Sequence, residues 1–253
     1  MIAVLAAGAA FANENATVPL EKSEAWPAIK KNVFGDREVI VDSKAEVLEM
    51  YLSLRADDAS SVPVIVRARN PQRDDDYIKK IWLIVDKNPS PMAGVFRYTP
   101  PSGLANPEPT IRVEDYTHVR AVAERIDGKL YMAGKWIKAS GGCSAPAGGD
   151  DLNTANLGKI KFKFDDAVSF NEPNKAQVMI SHPNVSGLAM DQLSRLYPNP
   201  HYVNRVDISY EGVTVMSADV DFSISVNPVF RFYFQPKGAG KLRALVTDSN
   251  NLK

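Results

Sequence analysis

Over most of this chain, apolar and polar side chains alternate with a period of two, and turn-forming residues break the pattern roughly every ten residues. In "GKIKFKF", Ile160, Phe162 and Phe164 fall on one face and Lys159, Lys161 and Lys163 on the other. A helix with 3.6 residues per turn would smear both sets around its circumference, whereas a pleated strand separates them. The segment therefore reads as a half-buried strand with a solvated lysine face. "VPVIVRARNP" sets Val62, Val64, Val66 and Ala68 against Ile65, Arg67 and Arg69, and "KIWLIVDKNP" lines up Ile81, Leu83 and Val85 before the stop at Pro89 to Pro91. "TIRVEDYTHVRAVAERIDGKLYMAGKWIKA" gives two strands around Asp127 and Gly128, a strong hairpin signal. "KAQVMISHP", "VNRVDISYEG", "FRFYFQP" and "GKLRALVTDSN" continue the pattern, separated by turn residues such as Glu211-Gly212 and the run from Lys237 to Gly240.

Two segments compete for helix. Ser43 to Leu54 has helical propensity but is read as strand in this context, and Ser186 to Tyr197 spaces Leu188, Leu193 and Leu196 too irregularly for more than one helical turn. The expected fold is all-β: two immunoglobulin-like antiparallel β-sandwich domains, residues 13–138 and 158–253, joined by a glycine-rich linker over 139–157.

The chain can bury a sizeable core, since 45% of residues are hydrophobic, and its 30 Lys and Arg balance 30 Asp and Glu. That balance leaves no basic footprint for nucleic acid or an anionic membrane, so neither is an expected partner. Residues 1–12, "MIAVLAAGAAFA", read as the apolar end of a signal peptide with Ala10-Phe11-Ala12 as its small-x-small cleavage site. About a dozen apolar residues is too short to span a bilayer, so export is expected rather than anchoring.

Export sharpens the meaning of the single cysteine, Cys143, in "KASGGCSAPAGGDD". In an oxidising compartment it has no partner in its own chain, so it is free, modified, or paired with a second chain as a homodimer. Gly141, Gly142, Gly148 and Gly149 surround it, and nothing nearby in sequence covers it. The expectation is an exposed thiol on an arm hinged at Gly141 and Gly142. From Ser140 to Cys143 such an arm reaches ~10 Å when extended, and the whole segment 139–157 averages ~24 Å end to end as a coil. An unperturbed thiol is a few per cent thiolate at pH 7, and Lys135 and Lys138 would raise that fraction. This sulfur can form a mixed disulfide, a persulfide or an S-sulfonate-type conjugate unaided.

Other candidates are weaker. His118, His182 and His201 are scattered without zinc-site spacing, so no metal is expected, and no nucleotide-binding or nucleophile-elbow motif points to a cofactor or an enzyme. His182 before Pro183 reads as a turn, His118 as a satisfied strand residue, Asp74 to Asp76 as a solvated turn, and Trp82 and Trp136 as core. Asn15 and Asn184 begin glycosylation-like tripeptides that carry little weight.

At Gly141-Gly142-Cys143, the end of a sandwich's last strand resembles the arm of SoxY, the subunit of the periplasmic sulfur-oxidation carrier that holds intermediates on a cysteine. "VMISHP" from Val178 and "ISVNPVFRFYF" from Ile224 resemble its partner subunit SoxZ. The chain is similar to the fused SoxYZ-like carriers associated with quinoprotein dehydrogenases. That resemblance implies a periplasmic, non-enzymatic carrier with Cys143 as attachment site, served by periplasmic redox enzymes of Sox type, cytochromes and hydrolases, or by a quinoprotein dehydrogenase. It also implies a heterodimer-like interface near the strand from Phe230 to Phe234. The alternative is an accessory protein that docks on a quinoprotein (PQQ) alcohol dehydrogenase system. In separate SoxY the arm ends the chain, whereas here Ser144-Ala145-Pro146 follows and the second domain holds the other end. A structure with Cys143 buried between the domains would sink the carrier reading outright.

Overall fold

The computed structural model describes residues 17–146, 156–192 and 194–253. The signal-like segment 1–12, Asn15, and residues 147–155 of the linker lie outside the described residues. The first half holds helix α1 (Trp26–Phe34) and strands β1 (Val39–Val41), β2 (Leu48–Tyr51), β3 (Val62–Pro63), β4 (Ile65–Ala68), β5 (Ile78–Val85), β6 (Met92–Tyr98), β7 (Thr110–Ile111), β8 (Thr117–Arg125) and β9 (Leu130–Ile137). The second holds β10 (Ile160–Phe164), β11 (Asn174–Ile180), β12 (Val203–Tyr210), β13 (Val213–Val220), β14 (Val229–Phe234) and β15 (Leu242–Asp248).

The expected all-β sandwich character is present, and the alternation explains it. In the first half the core face of β5 (Ile81, Leu83, Val85) and of β8 (Val119, Ala121, Ala123) meets Leu48, Met50, Val62 and Val66 from the two small sheets β2-β4 and β3-β7, with Val64 between β3 and β4. In the second half Ala176, Val178 and Ile180 of β11 and Phe230, Phe232 and Phe234 of β14 pack on Val206, Ile208, Met216 and Ala218 of β12 and β13. Each fully buried phenylalanine of this set contributes roughly 1.5–3 kcal/mol relative to exposure. The Asp127-Gly128 turn joins β8 to β9, with Gly128 at φ 85°. Ser43 to Leu54 contributes β2 and no helix, and the described part of Ser186 to Tyr197 is turn and coil.

Two features depart from the sequence reading. The halves are not separate sheets on a linker: β6 pairs with β13 antiparallel, from Met216 opposite Tyr98 to Val220 opposite Gly94. One sheet, in the order β1-β9-β8-β5-β6-β13-β12-β15, therefore runs through both halves. The phenylalanine-rich strand lies at this seam as expected, with Phe230 and Phe96 ring centroids 6.4 Å apart. The second departure is α1, absent from the strand-based reading. It begins with Pro27 in its first turn and ends at Gly35 with φ 63°, and it covers the outer face of the sheet. Phe34 stands edge-on to Trp82 at 5.1 Å and joins Ile84, Val122, Leu130 and Met132. That cover is why the outer face of β8 is buried too.

Below α1 lies a buried charged cluster. Arg120, fully buried, forks onto Asp86 with Nε–Oδ1 2.9 Å and Nη2–Oδ2 2.8 Å, donates to the carbonyl of Leu20, and stacks over Trp26 at 4.4 Å. Ser23 Oγ donates to the same carboxylate at 2.5 Å. His118 is satisfied at 2.9 Å from the carbonyl of Val18, and it meets the edge of half-buried Trp136. These contacts strap residues 18–34 to the sheet.

Candidate functional site

The segment after β9 does not leave the surface. Lys138 still bridges alongside Arg55. The chain then turns at Gly141, whose φ of 79° favours glycine, and Gly141 N–H donates to the carbonyl of Glu114 at 2.8 Å. Gly142 N–H donates to the carbonyl of Val113 at 2.9 Å, and Val113 N–H in turn reaches the carbonyl of Ala59. A Cβ at Gly142 would lie 2.0 Å from the Ala59 oxygen and 2.7 Å from the Val113 oxygen. Glycine is used here for close backbone approach, so in this conformation the pair is clamped rather than free to hinge.

Cys143 follows, and its exposure is 0%. This corrects the expectation of an uncovered thiol: what covers it is distant in sequence. Its N–H donates to Glu114 Oε2 at 2.8 Å, and Ser144 adds its N–H to Oε2 at 3.1 Å and its Oγ to Oε1 at 2.8 Å. From the second half, Ser186 Oγ donates to the carbonyl of Cys143 at 2.6 Å. The thiol is thus enclosed where the two halves meet. Arg112 N–H donates to the carbonyl of Ser223 at 2.7 Å, Asn88 Nδ2 bridges the Arg112 carbonyl and Ser223 Oγ, and Ser225 Oγ reaches the carbonyl of Ser60.

The electrostatics also reverse the expectation built on Lys135 and Lys138. Burial first, and then the Glu114 carboxylate, push the Cys143 thiol up to about 12, with Asp221 adding to the rise and Arg112 and the Ser223 hydroxyl opposing it. Closed in this way, the sulfur is a neutral thiol at neutral pH and a poor nucleophile.

The fold also brings together two histidines that the sequence leaves apart. His182 and His201 rings lie 4.5 Å apart, and both Nε2 atoms approach Asp248 Oδ2, His201 at 2.7 Å and His182 at 3.5 Å. Among the described residues this is the cluster with metal-ligand spacing. However, His182 Nδ1 accepts the N–H of Asn184 at 3.0 Å, so the neutral ring keeps its proton on Nε2, the atom a metal would need. The cluster therefore reads as a clasp for the backbone of 182–186. Asn184 completes it: its Oδ1 accepts from Val203 N–H, its Nδ2 donates to the Ile224 carbonyl, and its carbonyl accepts Arg112 Nη1 at 2.6 Å. With its side chain used in this way and fully buried, Asn184 is no glycosylation acceptor. Glu114 and Ser186 escape sequence reasoning because nothing in their spacing announces a partner 29 and 43 residues away, and Asn184, whose partner Arg112 lies 72 residues away, escapes it for the same reason.

An all-β body whose two halves close over a single thiol defines a class of thiol-bearing, two-part β proteins. Residues 30–143 match the family model "Sulfur oxidation protein SoxY" and residues 161–253 match "Sulphur oxidation protein SoxZ". The two matches together cover most of the chain, which belongs to the fused SoxYZ-like sulfur-oxidation carriers. The SoxY match ends at the cysteine itself. Among solved structures, the chain is similar to the sulfur carrier protein SoxY from Chlorobium limicola f thiosulfatophilum, at 20% identity over 46% of this chain and 91% of that one, with a TM-score of 0.38. It is also similar to a superoxide reductase (neelaredoxin) from Ignicoccus hospitalis, at 14% identity over 40% and 94%, with a TM-score of 0.34. No curated protein matches.

Proposed function

We propose that this protein is a periplasmic, non-catalytic carrier that holds a small sulfur-containing oxidation intermediate covalently on Cys143 and presents it to partner enzymes. The observation that carries the reading is the position of Cys143: it is the chain's one thiol, and it ends the SoxY-type half at the point where the SoxZ-type half closes over it. Loading with thiosulfate would join Sγ to the outer sulfur, releasing one proton from the thiol and two electrons to a partner redox protein. A hydrolytic partner would later remove the oxidised end.

Cys143 is buried between the halves, the outcome set against the carrier reading above, and it rules out an arm that always stands clear of the body. The SoxY and SoxZ matches support keeping the reading, which then requires a second, released conformation. What closes the arm is a set of hydrogen bonds and a tight glycine contact, and both are reversible. The buried thiol specifically favours one competing reading, an accessory protein that docks on a quinoprotein dehydrogenase and makes no use of its sulfur. Replacing Cys143 with Ser separates the two in the native host. The carrier reading expects complete loss of thiosulfate-dependent function with the fold intact, and undiminished function would establish the accessory role.

A further inference from the structure

Three of the hydrogen bonds that close the arm end on one carboxylate, that of Glu114, beside those from Gly142 to the Val113 carbonyl and from Ser186 to the Cys143 carbonyl. Glu114 accepts the N–H of Cys143 and of Ser144 on Oε2 and the hydroxyl of Ser144 on Oε1, while its own carbonyl holds Gly141. In this pose Cys143 offers no surface to a water-sized sphere. No atom can be added to Sγ without displacing a neighbour, because close-packed interiors yield little to added volume. Around the sulfur stand two carboxylates, Glu114 and Asp221, against the one guanidinium of Arg112 and the hydroxyl of Ser223. A sulfonate-type head placed there would gain one opposite charge and meet two like ones.

We infer that Glu114 is the positioning residue that keeps the empty arm closed, and that conjugating cargo to Cys143 opens the clasp, so that the loaded sulfur is outside and the bare thiol inside. The inference rests on the reading of Cys143 as the attachment site. A ligand shifts an equilibrium only by interacting differently with its two states. A conjugate tolerated in the released arm and excluded from the closed one does this without any further contact. Partner enzymes would then meet mainly loaded arms, and an emptied arm would withdraw by itself.

The test uses the full chain and conjugates imposed without enzymes. Methyl methanethiosulfonate forms an Sγ–SCH3 bond as methanesulfinate leaves with the electron pair. Tetrathionate forms an Sγ–S–SO3 conjugate as thiosulfate leaves. Neither exchange needs an added oxidant. Hydrogen exchange is then read at the amides of Gly141, Gly142, Cys143 and Ser144. The expected result is protection in the bare-thiol protein and at least about tenfold faster exchange in both conjugates, with the two halves unchanged. Conjugated protein that keeps its protection overturns the inference, as does a thiol that stays unmodified through days at neutral pH. Glu114→Gln, which keeps the shape and removes the charge, is expected to raise both exchange and the methanethiosulfonate modification rate of the bare protein about tenfold. If neither it nor Glu114→Ala moves these rates in a folded protein, Glu114 is not the clasp. Because the conjugates are imposed chemically, a native protein found without cargo would refute the attachment reading and leave the exchange result standing.

Discussion

Replacing Gly142 with Ala isolates the closed pose from everything else in the protein. The new Cβ would sit 2.0 Å from the Ala59 oxygen and 2.6 Å from its carbonyl carbon, both backbone atoms that no rotamer change can move. The contact is therefore relieved by undocking the segment. In the released arm, a thiol with an ordinary pKa near ~8.5 is about 3% thiolate at pH 7. The closed thiol, pushed up to about 12, is thiolate in only about one molecule in 10⁵. The two fractions differ roughly 3,000-fold from ionisation alone, and the burial of Sγ slows the closed thiol further. Because the closed sulfur is covered, the wild-type protein reacts through its spontaneously opened arm, so the ratio measures the wild-type opening equilibrium. The assay is the second-order rate of Cys143 with an aromatic disulfide reagent at pH 7, normalised to the same protein in denaturant, with the melting temperature confirming the fold. A gain of tenfold or more is expected. A folded Gly142→Ala protein reacting within twofold of wild type would refute the claim that this packing controls the thiol.

Three further results follow from the same structure. Because the closed arm favours the protonated thiol, the released arm loses its proton first as pH rises past ~8.5, and closure weakens by about 1.4 kcal/mol per unit up to the closed value of about 12. Exchange of the Gly141 to Ser144 amides, corrected for intrinsic rates, should accelerate between pH 8 and 10 in wild type and not in Cys143→Ser. Asp86→Ala leaves the buried Arg120 guanidinium without its carboxylate and should cost roughly 3–5 kcal/mol in denaturant unfolding, much of it recovered by the paired change Asp86→Leu with Arg120→Met. Burial, and then His201, hold His182 below the usual histidine range, so the native state keeps it neutral while the unfolded chain takes up a proton. Stability should therefore fall as pH drops below ~6.5, and His182→Gln should flatten that slope in a series of denaturation midpoints.

The period-two pattern made most of the strands legible, because a strand with one face on a core has that face written into alternate positions by the pleat. β1, β6 and β13 were not read from it, and β10, at a sheet edge, leaves Ile160 and Phe164 exposed rather than half-buried. Two kinds of structure were less visible. α1 carries its own signal, Trp26, Ile29 and Phe34 at helical spacing with a proline near its start, but it is short and lies among strands. The β6–β13 seam is a backbone pairing between segments more than a hundred residues apart, and hydrogen bonds to peptide groups leave no mark on side-chain choice. At the site, the residue types spoke for Cys143 and its glycines but not for its environment. Glycine next to cysteine suits both a flexible arm and a backbone pressed against another backbone, and only the position of Ala59 and Val113 decides between them. Likewise His182, His201 and Asp248 meet only because β12 and β15 lie side by side, next to the end of β11.

The central claim, that Cys143 carries cargo, is tested most directly by intact mass measurement of the protein purified without reductant from its own periplasm, before and after reduction and after exposure to thiosulfate. The account predicts a discrete small mass increment, located on Cys143, removed by reductant and altered by thiosulfate. A uniformly unmodified thiol, or only a protein-sized disulfide partner, would contradict it.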